Sequence, residues 1–118
     1  MARHPTPADA FNAVAEPRRR QILDLLARGE RPVNDVVAAL GLAQPQVSKH
    51  LRVLREAGLV GVRGSGQQRL YRLNAEKLKP IHDWVKTFEQ FWAESFDRLD
   101  DYLKELRREE EEKDGRKS

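Results

Sequence analysis

Two runs of hydrogen-bonding side chains stand out in the sequence. Gln44, Gln46, Ser48, Lys49, His50 and Arg52 form the first, and Arg63, Gln67, Gln68 and Arg69 form the second. A glutamine amide matches N6 and N7 of adenine, and arginine or lysine matches O6 and N7 of guanine, so such runs suit the base edges of double-stranded DNA. Gln46, Lys49 and Arg52 are the candidates for reading bases. Ser48 and Gln44 fit phosphate contacts, which position without reading sequence. His50 either caps the core or points outward with them, and Arg55 lies further along, suited to a flanking or internal contact. Residues 44–72 carry six basic side chains, Lys49, Arg52, Arg55, Arg63, Arg69 and Arg72, against the single acid Glu56, whereas residues 73–118 carry ten basic and thirteen acidic. The positive field is therefore concentrated in the middle of the chain, where it attracts polyanions.

Other chemistries are poorly served. The absence of cysteine excludes disulfides, thiolate metal sites and cysteine nucleophiles. The three histidines, His4, His50 and His82, lie far apart, so a metal site within one chain would rest on carboxylates. No Gly-rich phosphate loop, nucleophile elbow or metal-hydrolase spacing is present, and an enzyme is not expected. No apolar run approaches the roughly 20 residues that cross a bilayer. The polar start, Met1-Ala2-Arg3-His4-Pro5, lacks a secretory pattern. The expectation is a cytoplasmic protein with no membrane partner and no cofactor.

The elements that must hold the two runs can be read from periodicity. A short first helix is predicted over residues 8–15 from Phe11, Val14 and Ala15, and a second opens at Pro17, where a proline N–H would be unpaired anyway. Its stripe is Ile22, Leu25 and Leu26, and Gly29 is placed to end it. Val33, Val36, Val37 and Leu40 give a third helix, stopped by Gly41. A fourth is predicted over residues 44–57, with Pro45 in its first turn and Val47, Leu51 and Leu54 on one face. The third and fourth helices and the Gly41-Leu42-Ala43 turn describe a helix-turn-helix. Two β-like stretches, residues 59–63 and 68–73, flank Gly64-Ser65-Gly66-Gln67, a turn suited to a hairpin tip. The fold class expected is mainly α with a small β-hairpin, a winged helix-turn-helix of about five helices and a two-stranded wing. Arg63, Gln67, Gln68 and Arg69 surround the wing tip, where arginine can enter a narrow minor groove. Arg72 fits a solvated hairpin.

From Asn74, a plausible N-cap, one long helix is predicted to about Leu106. Its 33 residues would extend roughly 50 Å. Leu78, Ile81, Val85, Phe88, Trp92, Leu99, Tyr102 and Leu106 step by three or four in the main, and Trp84, Phe91, Phe96 and Leu103 widen the apolar face. Such breadth suggests one stripe for the chain's own core and another for a partner. Residues 107–118, charged and without apolar positions, are expected to fray or be disordered. The organisation expected is a DNA-binding and dimerisation domain over residues 1–106 and a charged tail over 107–118.

Three segments together carry a family resemblance. Ala15-Glu16-Pro17-Arg18-Arg19-Arg20-Gln21-Ile22-Leu23 resembles the opening of ArsR-type (ArsR/SmtB) repressors. The segment from Gln46-Val47-Ser48-Lys49-His50-Leu51 to Gly58-Leu59-Val60 is similar to that family's recognition helix and entry to the wing, and Gln68-Arg69-Leu70-Tyr71-Arg72-Leu73 to its second wing strand. The resemblance spans about residues 8–106. It implies a homodimeric repressor, paired through its first and last helices, whose two recognition helices enter successive major grooves of a palindromic operator. The departures point to a metal-independent branch. The third helix reads Val33-Asn34-Asp35-Val36-Val37 without a thiol, and the last helix offers only His82 beside Asp83. Ala43 also stands where a serine cap is common in the family.

Two alternatives share these residues. The fourth helix could show an ordinary solvated face with pairs such as Arg52–Glu56, and the chain could then be a winged-helix protein-interaction module without DNA binding. Arg18-Arg19-Arg20 suits either a grip on phosphates or a local pairing of Arg20 with Asp24.

Overall fold

Residues 4–116 are described by a computed structural model. The first three residues of the polar start and the last two of the charged tail lie outside that range. The chain divides into two units, one ending at His82 and one beginning at Asp83.

The first unit follows the predicted helices to within a residue or two. Helix α1 (Pro7–Val14) is opened by Thr6, whose backbone N–H donates to the Asp9 carboxylate at 2.7 Å. Helix α2 (Pro17–Leu26) is capped by Glu16, which accepts from the Arg19 backbone N–H at 3.0 Å. Helix α3 (Val33–Leu40) ends at Gly41, which takes the left-handed conformation (φ 66°, ψ 27°) and donates to the Val37 carbonyl at 2.9 Å. A side chain at that position would be strained, and this turn sets the angle at which helix α4 (Gln44–Glu56) departs.

The wing differs from the hairpin expected. Strands β2 (Val60–Ser65) and β3 (Gln68–Leu73) pair antiparallel from Val60–Leu73 to Ser65–Gln68, so the connection shrinks to Gly66-Gln67. A third strand, β1 (Arg31–Pro32), pairs with β3 through Arg31–Tyr71 and Pro32–Leu70, giving the order β1-β3-β2. Two residues carry no alternation to read, and a proline is tolerated there because β1 is an edge strand.

Ile22, Val36, Val47, Leu51, Leu54 and Leu59 are fully buried and bind α2, α3, α4 and the foot of the wing into one core. Val47, Leu51 and Leu54 are the three predicted to face inward from α4, and their burial aims the rest of that helix outward.

Asn74 does not cap a helix with its side chain. Its amide donates to the Gly58 carbonyl at 3.1 Å and its backbone N–H to the Leu59 carbonyl at 2.8 Å, tying the end of β3 to the end of α4. A 3-10 turn (Ala75–Leu78) then leads into helix α5 (Lys79–Lys86). Leu78 and Ile81 pack against the core.

The single long helix expected over residues 74–106 is therefore interrupted, and helix α6 (Glu89–Arg116) follows, bringing the helices to six among the described residues. At the interruption the Thr87 hydroxyl donates to the Trp84 carbonyl at 2.7 Å, while the backbone N–H groups of Thr87 and Phe88 close tighter i→i−3 bonds to Trp84 and Val85. A β-branched side chain that bonds its own preceding turn competes with the helical ladder. At the other end the helix passes the predicted stop at Leu106. Residues 107–113 consist of helix-favouring Arg, Glu and Lys, and Arg108 pairs with Glu105 and Glu112 one turn away on either side. Along α5 and α6, Trp84, Phe91, Phe96 and Tyr102 are more than half exposed, at 55%, 61%, 67% and 61%.

Candidate nucleic-acid interface

The outer side of α4 brings together the first run of predicted residues. Gln44, Gln46, Ser48, Lys49 and Arg52 are all exposed. His50 is half-buried: Nδ1 is buried without a hydrogen-bond partner among the described residues, and Nε2 is left as the accessible nitrogen. One edge of the ring thus lies inward and the other outward.

Gln46 has a structural duty that its exposure conceals. Its Oε1 accepts the Ala43 backbone N–H at 3.3 Å, which satisfies a donor at the start of α4. Ala43 has the extended conformation of an N-cap (φ −67°, ψ 147°) but no side-chain oxygen to offer. The glutamine supplies the half of a capping box that runs from the third helical residue back to the cap. Its amide nitrogen remains the group that could meet a base.

In the wing the second run is divided. Gln67, Gln68 and Arg69 are exposed around the Gly66-Gln67 turn, as predicted. Arg63 is not a free tip residue. It pairs with Leu70 in the strand register, and its guanidinium meets Glu30 at two points, Nε to Oε2 at 2.8 Å and Nη2 to Oε1 at 2.9 Å. These hydrogen bonds, aided by the charges of Arg63 and Arg72, hold the Glu30 carboxyl below the usual carboxylate range despite partial desolvation. The Arg63 guanidinium is correspondingly held above its ordinary value, first by its hydrogen bond to Glu30. Glu30 lies just outside β1, so the partner could not be found without that strand.

The arginine run at the start of α2 is engaged with its own chain, and not through Asp24. Arg19 Nε donates to the Ala13 carbonyl at 2.6 Å and Nη2 to Asn12 at 3.3 Å. Arg20 Nη1 donates to the carbonyls of Val14 and Ala15 at 2.8 and 3.3 Å rather than to Asp24. Two cations therefore cap the negative end of α1. Arg18 bonds Gln21 at 3.1 Å. Among the described residues no three His, Asp or Glu side chains gather into a group that could hold a metal ion. Among the same residues no helix is long and apolar enough to cross a membrane.

Comparison with known proteins accords with this geometry. Residues 16–62, from the cap of α2 into β2, match the family described as bacterial regulatory protein, arsR family. The chain is 32% identical over 80 residues to the transcriptional repressor SdpR of Bacillus subtilis, covering 68% of this chain and 89% of that one. It is 33% identical over 93 residues to an HTH-type transcriptional regulator of Mycobacterium tuberculosis, covering 79% and 84%. Among solved structures, it is similar to the homodimeric winged helix-turn-helix DNA-binding domain of a possible ArsR-family transcriptional regulator from Mycobacterium bovis. The TM-score is 0.59 at 36% identity, over 70% of this chain and 77% of that one. Helix, turn, helix and wing thus agree in order and kind with proteins of one lineage, and the chain belongs to the arsR family of bacterial regulatory proteins.

Proposed function

We propose that the protein is a cytoplasmic, sequence-specific DNA-binding repressor that acts as a homodimer on an operator with two-fold symmetry, and that it is not an enzyme. The observation that carries this reading is the exposed face of α4. Its polar side chains stand on a helix whose opposite side is locked in the core, beside a basic wing. The relatives' names, a repressor and a homodimeric DNA-binding domain, support it.

In this reading Lys49, Arg52 and the Gln46 amide meet base edges, while Gln44 and Ser48 position the helix on phosphates. The accessible nitrogen of His50 faces the same groove. Gln67, Gln68 and Arg69 carry the wing to the backbone or the minor groove, and Arg63 steadies it. Pairing of two copies uses α1 and the aromatic face of α5 and α6. Residues up to His82 then serve as the DNA-binding part and the remainder as the pairing part. The absence of cysteine supports a metal-independent mode.

The test is selection of fragments from genomic DNA across a salt series. Enrichment of one inverted repeat, with half-sites about one helical turn apart, is expected. With six to ten phosphate contacts, affinity should fall by roughly 10³ to 10⁵ between about 50 and 200 mM salt. Retention of no fragment at any salt would instead favour an interaction module. A stable monomer in light scattering would overturn the pairing.

A further inference from the structure

A cleft between the second half of α4 and the base of the wing contains three arginines that the base-reading face does not use as a group. Its volume is about 510 Å³, and it is lined by Arg52, Arg55 and Glu56 of α4, the β2 backbone around Gly61, and Arg72 of β3. Arg72 is paired with Gly61 across the sheet. A methyl group on Gly61 would lie 3.2 Å from Cζ and Nε of Arg72 and 3.3 Å from Nη2. Three guanidinium atoms at nearly equal distance mean that the group lies across the bare face of this residue. Gly61 is not among the glycines with positive φ, so its backbone does not demand a glycine. What the position supplies is room for the guanidinium.

Among the described residues none of the Arg52, Arg55 and Arg72 side chains forms a hydrogen bond or ion pair. Glu56 is the one carboxylate lining the cleft, and Glu30, whose carboxylate feels Arg72, is already bound at both oxygens by Arg63. Three cations with planar forks of donors thus face a space holding one acid. Guanidinium forks bind phosphate oxygens in pairs, more strongly than neutral donors do.

We infer that this cleft is the seat of one phosphodiester of the DNA backbone, gripped by Arg55 from the helix and Arg72 from the wing. The inference rests on the DNA-binding reading above and deepens it. Arg55 and Arg72 become the residues that fix the depth and tilt of α4, with Arg52 at the boundary between the seat and the base-reading face.

The experiment compares the wild-type protein with an Arg55→Gln/Arg72→Gln double variant and with Gly61→Ala. Each is titrated with the selected duplex and with a scrambled duplex of equal length over a salt series. Thermal unfolding of each confirms the fold. The double variant should make the slope of log K against log salt shallower by about 0.9 for each seat occupied, equally on both duplexes. Gly61→Ala keeps every charge and asks the guanidinium to give by only a few tenths of an ångström, so it serves as the control whose slope should stay that of the wild type. A double variant with the wild-type slope would overturn the seat while leaving DNA binding intact. Wild-type protein that binds no duplex would overturn both readings. In a second arm, NMR follows the Arg55 and Arg72 side chains with duplex and with inorganic phosphate alone. Shifts with duplex support the seat. Shifts with phosphate but not with duplex would make it a site for a free anion and overturn the assignment.

Discussion

Arg63 on β2 and Glu30 beside β1 form a two-point ion pair that spans the central strand of the wing sheet, at 2.8 and 2.9 Å. Both groups are substantially exposed, so the pair is screened by salt and orders the wing more than it stabilises the domain. Glu30 has its carboxyl held below the usual range, so its contribution is present above the unfolded-state value and is lost as pH falls through the folded one. The Arg63 Nε–H resonance should therefore be sharp at neutral pH and broaden only below the ordinary glutamate range. In Glu30→Gln it should be broad throughout, with faster amide exchange along β2 and β3. An Arg63 signal indifferent to that substitution would contradict the pairing.

The cap of α4 offers a gain as well as a loss. Ala43→Ser restores a side-chain acceptor at a residue already in the cap conformation, and should stabilise the domain by about 1 kcal/mol in denaturant unfolding. Gln46→Ala should destabilise it by a few tenths up to about 1 kcal/mol. Gln46→Glu keeps the capping oxygen but loses the amide donor, so it should retain stability while binding to the selected duplex weakens.

Arg19 and the arginines proposed to grip a phosphodiester are expected to separate cleanly. Arg19→Ala removes the guanidinium that caps the Ala13 and Asn12 carbonyls and should cost about 1 kcal/mol of stability. Its effect on the salt dependence of DNA binding should be nil. A shallower slope with unchanged stability would return the arginine run to the DNA-contacting surface.

At the junction of α5 and α6, Thr87→Ala removes the hydroxyl that bonds Trp84 and gains roughly 0.5 kcal/mol of helix propensity. Amides at Thr87, Phe88 and Glu89 should exchange more slowly if the ladder closes across the break. Unchanged exchange would show that the tightened turn does not depend on the hydroxyl.

The parts of this structure legible in the sequence are those where a periodic apolar pattern ends on a strong stop signal. Val47, Leu51 and Leu54 marked the inner face of α4, and thereby which glutamines, lysine and arginines face out. Gly29 and Gly41 mark helix ends, and both take positive φ. What escaped depends on contacts distant in sequence or on single side chains acting locally. Arg63 meets a glutamate 33 positions earlier, through a strand too short to show alternation. Asn74 has the type of a cap but bonds the carbonyl of Gly58. Thr87 lies inside an apolar stripe that continues on both sides, so the break it marks leaves no trace in the periodicity. Gln46 was readable, since a glutamine three places after Ala43 is half of a capping box. Its exposed position suits base reading as well as capping.

Nine large apolar side chains from Trp84 to Leu106 stand exposed along α5 and α6. Covering that surface with a second copy makes abundance a term in the protein's own folding equilibrium, because mass action stabilises whatever is bound. A newly made chain at low copy number carries this surface uncovered, within reach of chaperones and proteases. Chains made after the concentration has risen are sheltered. Cellular half-life should then lengthen with expression level.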